Sequence, residues 1–175
     1  MAAPLIIVTG PPGTGKTTVA DELAARHDPS AVVTGDHFLE YLRSGKIEPW
    51  LAAAHAQNTA AMRITARTAR DYALAGWTTI LEGIIGPWFL PVVLEELGAD
   101  LEVHYVVLDA PLDICQARVT ARGRGSMTEA VTTMHAEFAN HRMDGHTIGA
   151  DRPTEEVADA ISDAIHRGDL RVTVA

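Results

Sequence analysis

The segment Gly10-Pro11-Pro12-Gly13-Thr14-Gly15-Lys16-Thr17 sets glycines, a lysine and a hydroxyl at the spacing G-x-x-x-x-G-K-[ST]. That spacing serves polyphosphate binding. Phosphates are wrapped by backbone N–H groups, and only a backbone free of bulky Cβ substituents comes close enough to do so. Gly10, Gly13 and Gly15 give that access, with Thr14 between them and Thr18 just beyond. A helix starting here adds unpaired N–H donors and the positive end of its dipole. Lys16 is placed to reach the β- and γ-phosphates of a nucleotide, and the Thr17 hydroxyl to ligate Mg2+. Ordinary residue frequencies would produce such a match in roughly one chain in a hundred of this size. The flanks narrow that further: Leu5-Ile6-Ile7-Val8 reads as a buried strand, and Thr18 to about His27 as an amphipathic helix.

Strand-like apolar runs alternate with helix-length segments along the rest of the chain. That is the pattern of a parallel sheet with helices on both faces. The strands read as Leu5–Thr9, Ala31–Thr34, Trp77–Glu82 and Glu102–Leu108, with His146–Ile148 as a short fifth. Between them lie a helical turn at His37–Leu42 and helices at Trp50–Ala75, Pro87–Leu97, residues 109–111 through about Ala121, Met127–Asn140 and Pro153–His166. The tail from Leu170 to Val174 alternates and fits an edge strand. Nothing in composition marks a linker, a repeat or a low-complexity stretch, so residues 1–175 read as one domain.

Ligands of such sheets bind outside the carboxyl ends of the strands, which singles out the residues there. Asp36 follows the second strand and Glu82 ends the third. A phosphoryl acceptor needs its hydroxyl aligned and its proton accepted, and a carboxylate near the phosphate does both. Asp36 is the candidate base, and an N-cap for the following helix is its structural alternative. Glu82 is placed to hold Mg2+ through water or to bind the acceptor; a strand-end carboxylate paired with an arginine is the blander account. Arg118 and Arg122 stand four apart on one helix face, and Arg124 follows between glycines. An arginine on a mobile loop over residues 122–127 suits a cation that closes over the transferring phosphoryl group, against a solvated helix end.

The acceptor itself is expected to be chosen between the second and third strands, over residues 36–75. Phe38, Tyr41, Trp50, His55, Asn58 and Met62 are candidates, each more commonly a packing residue than a contact. Ile84, Ile85, Trp88 and Phe89 follow Glu82 and would wall the crevice. Arg63 and Arg67 stand four apart and could meet an acidic acceptor, with a surface helix face as the commoner account. His135, His141 and His146 are too irregularly spaced for a metal centre, and Cys115 reads as core.

The chain carries 23 acidic against 14 basic residues, a formal net charge of −9, with no basic block, which excludes nucleic acid as the main partner. One cysteine excludes an internal disulfide and points to a reducing, cytoplasmic setting. No stretch reads as a signal peptide or a membrane span. The chain's other lysine, Lys46, is not in an Asn-Lys-x-Asp segment, which argues against a regulatory GTPase.

Taken with the loop, the segments Thr34-Gly35-Asp36-His37-Phe38, Ile80-Leu81-Glu82-Gly83 and Val107-Leu108-Asp109-Ala110-Pro111, followed by Arg118 and Arg122, resemble the P-loop small-molecule kinases of the nucleoside monophosphate kinase fold. The nearest likeness is to chloramphenicol phosphotransferase-like and gluconate-kinase-like proteins, over nearly the whole chain. The resemblance implies a three-layer α/β/α P-loop NTPase fold with a five-stranded parallel sheet in the order 2-3-1-4-5 and a short lid. It further implies Asp36 as the base, Arg118 over the adenine, Arg122 on phosphate, and an ATP- and Mg2+-dependent phosphotransferase acting on a hydroxyl of a metabolite or an antibiotic. A kinase of nucleotide-type acceptors and a non-catalytic nucleotide-binding module are the readings left beside it. A homodimer is compatible with all three.

Overall fold

The computed structural model describes residues 2–123 and 128–173. Its sheet begins with β1 (Leu5–Thr9), in which every residue is buried. A strand covered on both faces has no place for the polar alternation of an exposed sheet, and its sequence LIIVT shows none. β2 (Ser30–Thr34), β3 (Thr78–Glu82), β4 (Val103–Asp109) and β5 (Thr147–Gly149) join it in the order β2-β3-β1-β4-β5, all parallel. The expected order is the observed one. A sixth strand, β6 (Arg171–Val172), pairs antiparallel with β4 through Val103 and His104, so the alternating tail does add an edge.

The register decides what meets at the carboxyl ends. Glu82 pairs with Val8 on one side and Thr34 on the other, and Thr9 pairs with Val107. The loop after β1, the start of α2 (Gly35–Glu40) and the end of β3 are thereby brought to one line.

Helices α3 (His55–Leu74) and α4 (Leu90–Leu97) cover one face. The α3 stripe Met62, Ala66, Ala69 and Ala73 repeats at helical spacing, and its alanines let α3 lie close to the sheet. The other face is covered by α1 (Lys16–Ala24) and α7 (Thr154–Arg167), whose Val157, Ala158, Ile161 and Ala164 form the matching stripe. α5 (Leu112–Ala121) and α6 (Thr128–Asn140) pack on each other around Cys115, Val119 and Val131. The segment read as one helix from Trp50 divides: Ala52–Ala54 form a 3-10 turn and the α-helix starts at His55. Arg63 and Arg67 tie α3 to α4 through Glu95 and Glu96, with Arg63 Nη2–Glu95 Oε2 at 2.9 Å and Arg67 Nε–Glu96 Oε2 at 2.6 Å. Among the described residues no helix is long and apolar enough to cross a membrane.

Candidate active site

The loop after β1 has the geometry of a phosphate cradle. Gly10 lies at φ +145°, and a Cβ there would come within 2.3 Å of the Leu108 carbonyl oxygen. Gly13 lies at φ +91°, and a Cβ there would meet the Cys115 carbonyl oxygen at 2.4 Å, so α5 presses directly on the loop. Gly15, at φ 92°, is the N-cap of α1, which starts at Lys16 and leaves its first N–H groups directed back at the loop. The Thr14 hydroxyl donates to the Pro11 carbonyl at 2.9 Å, and the Lys16 ammonium donates to the same oxygen at 3.1 Å. These residues fit a polyphosphate.

Three charged groups converge beside the cradle. Burial lowers the Lys16 ammonium below the usual lysine range, opposed by the carboxylates of Asp36 and Glu82. Glu82 is 3% exposed. Burial pushes its carboxyl up, against Lys16 and hydrogen bonds from Thr34 and Thr17, while Asp36 pushes it further. The Thr17 hydroxyl donates to Glu82 Oε1 at 3.5 Å. A hydroxyl beside a buried carboxylate is an oxygen donor set that suits Mg2+. Asp36 is solvent-exposed in the first turn of α2, whose N-cap is Thr34. Asp36 thus lies inside the helix and not at its cap, and Thr34 at the cap position makes no side-chain capping hydrogen bond.

Beside α1 opens a cleft of about 340 Å3, lined by Thr14, Thr18, Arg118, Arg122, Arg152 and Thr154 among others. Arg118 Nη1 donates to the Gly13 carbonyl at 3.3 Å and the Ala150 carbonyl at 3.1 Å, tying the cradle to the segment before α7. Arg122 closes α5 and is exposed, and its like charge helps burial lower the Lys16 ammonium. Arg124 and most of the expected lid over 122–127 lie outside the described residues.

The acceptor candidates separate. Phe38 packs on the core and meets Tyr41 edge-on at 5.9 Å, while Tyr41 itself is largely exposed, as is Trp50 to a lesser degree. Met62 is core. His55 stacks on Phe89 at 5.8 Å. Asn58 donates to the Pro49 carbonyl at 2.7 Å, holding the chain before α3. Trp88 lies flat over Gly86 and meets the edges of Phe138 and His141 at 5.1 and 5.3 Å. The histidines go to separate carbonyls, His135 to Ala110, His141 to Glu137 and His146 to Tyr105. The sequence gives no sign of a second cavity, of about 190 Å3, lined by Pro11, Pro87, Asp109, Phe138 and Arg142 among others. Asp109 stands out in the sequence only as part of a short motif, and nothing in the periodicity of α6 says which of its faces meets a cavity.

Residues 6–140 match a family model described as AAA domain. The chain belongs to this AAA domain family. No curated protein matches the sequence. Among solved structures the AAA domain is similar to the Mycobacterium tuberculosis APS kinase in complex with AMPPNP and APS, at 19% identity and a TM-score of 0.71, over 94% of this chain and 98% of that one. It is similar to the Deinococcus radiodurans tunicamycin resistance protein, at 21% identity and a TM-score of 0.68, over 93% and 95% of the chains. A gluconokinase from Sinorhizobium meliloti follows at 13% identity and a TM-score of 0.65, over 95% and 93%. These likenesses place the AAA domain in the nucleoside monophosphate kinase-like P-loop fold.

Proposed function

We propose that the protein is an ATP-dependent phosphotransferase that moves the γ-phosphate to a hydroxyl of a small molecule, a metabolite or an antibiotic. The observation that carries this reading is the buried Glu82 carboxylate beside Thr17 and Lys16, with Asp36 acting on the same lysine. A binder of nucleotide has no need of two carboxylates where the terminal phosphate would lie, and burying one of them costs stability. Solved neighbours named as APS kinase, gluconokinase and shikimate kinase support it by likeness of fold.

In this mechanism the cradle N–H groups hold the polyphosphate and Lys16 spans its β- and γ-groups. Thr17 and Glu82 would hold Mg2+, which when bound neutralises charge on the phosphates. Asp36 orients the acceptor hydroxyl and accepts its proton. The acceptor oxygen bonds to the γ-phosphorus while the bond from that phosphorus to the β–γ bridging oxygen breaks, and ADP leaves. Arg122 meets the charge that builds on the transferring group. Arg118 holds the cradle in shape through its two carbonyl contacts and lines the nucleotide cleft.

The test is acceptor-dependent release of ADP across a broad panel of hydroxyl compounds, with mass spectrometry for the added phosphate. ATP bound tightly with no acceptor-dependent turnover on any compound would return the protein to a nucleotide-binding module.

A further inference from the structure

A phosphotransferase needs two ligand spaces that meet at the phosphate, and two clefts flank the cradle here. One is the nucleotide cleft on the Thr14–Thr18 side. The other is the cavity of about 190 Å3 that shares Pro11 with the cradle. Pro11 is the residue whose carbonyl holds the Lys16 ammonium. We infer that this second cavity, walled by α6, is the acceptor pocket, and that the Asp109–Arg142 pair in it selects a compact, uncharged, hydroxylated acceptor. The inference rests on the phosphotransferase reading: Asp36 keeps the reacting hydroxyl, and choice of the rest of the acceptor moves from residues 37–75 to α6.

One wall of the cavity is fixed. The Ile85 N–H donates to Thr9 Oγ1 at 2.8 Å, and the Tyr105 hydroxyl donates to the Ile85 carbonyl at 2.9 Å, so both backbone groups of Ile85 are held by side chains from the sheet. That anchors the loop carrying Pro87. Trp88, seated over Gly86, then braces Phe138 and His141 of the opposite side.

Size and charge give the class of acceptor. Pockets for drug-sized ligands measure roughly 300–1,000 Å3, so a cavity of about 190 Å3 suits a smaller molecule, of one ring or a short polyol. The apolar walls of Phe138 and Met143 fit a carbon skeleton. Arg142 lies 3.9 Å from Asp109 and 3.5 Å from Asp144, contacts long enough to leave its donors and the Asp109 oxygens available to hydroxyls. The pair is neutral overall. A carboxylate taken by Arg142 would leave Asp109 uncompensated beside a second anion, and the lining His135 and His141 each spend a ring nitrogen on a backbone carbonyl. An uncharged polyol meets both groups without that penalty.

The experiment compares matched pairs: glycerol with glycerate, sorbitol with gluconate, inositol with quinate. Turnover is read as kcat/KM for each, and binding as the Met143 methyl NMR shift in the presence of a non-hydrolysable ATP analogue. The expected result is a preference of roughly tenfold or more for the uncharged member, a Met143 shift with it alone, and a narrowing of the preference in Asp109→Asn. Ala139→Leu, on the exposed rim of the cavity, is expected to raise the acceptor KM roughly tenfold with the ATP KM unchanged. Preference for the acids, no Met143 shift with any compound, or an Ala139→Leu enzyme with unaltered acceptor KM overturns the pocket. Phosphorylation detected alongside any of those results leaves the phosphotransferase reading standing; a Met143 shift with no phosphorylation of any compound sinks that reading and keeps the pocket.

Discussion

The Thr17 hydroxyl and the Glu82 carboxylate stand 3.5 Å apart, 65 residues apart in sequence, and join the first turn of α1 to the end of β3. The parallel register Val8↔Glu82 makes that meeting, because it levels the end of β3 with the start of the cradle. A buried carboxylate placed there trades stability for chemistry, and the consequences can be measured.

Glu82→Gln is expected to cut phosphotransfer by roughly 10²-fold or more, since it removes the charge that would hold Mg2+ with Thr17. It is also expected to stabilise the fold at neutral pH. Glu82 titrates above its ordinary value of 4.5 in the folded chain, mainly through burial. Its stabilising share is complete below that value and is lost as pH rises through the raised folded pKa. The variant should therefore melt higher than the parent at pH 7, with the gain shrinking below about pH 4.5. Thermal unfolding at several pH values decides it; a variant less stable at every pH would mean that Glu82 is held by its partners and is structural.

Asp36→Asn keeps the shape of the side chain and loses the proton acceptor. Phosphotransfer is expected to fall by roughly 10²-fold or more, with ATP affinity nearly unchanged. Thr34 occupies the N-cap of α2, so the helix start should survive the change. A fully active variant would remove Asp36 from the base role.

Arg122→Ala is expected to lower kcat by roughly 10²-fold while the ATP KM moves little, the mark of a contact made in the transition state. Steady-state kinetics with ATP and a fixed acceptor measures the split. A rise confined to the ATP KM would make Arg122 a ground-state phosphate contact.

His104 is expected to destabilise the fold in mild acid. It is 1% exposed, its Nδ1 has no partner among the described residues, and its Nε2 meets Glu102 Oε1 at 3.1 Å. Burial lowers its pKa below 6.5, with Glu102 opposing. Stability from the neutral ring is present above 6.5 and lost as pH falls through the lower folded value. Denaturant midpoints at pH 8 and pH 5.5 should differ less in His104→Gln than in the parent. An equal difference in both would assign the acid sensitivity elsewhere.

The cradle was readable from the sequence because its chemistry is local. Gly10 to Thr17 are contiguous, and the glycines are required by backbone geometry whatever surrounds them. The strands were readable for a similar reason: fully buried parallel strands need unbroken apolar runs, which Leu5–Thr9 and Val103–Asp109 supply. Asp36 and Glu82 were found by position, since the ends of such strands are where ligands bind. Tertiary structure decided what those residues do to one another. Whether Glu82 is buried depends on its pairing between Val8 and Thr34, a fact of register with no local signal. The cavity with Asp109 and Arg142 exists because α6 packs beside Trp88 and Pro87, which brings together three stretches of chain far apart in sequence. Local spacing can mark a residue as able to do chemistry; only packing, by excluding water and setting charges side by side, decides which chemistry it is held to.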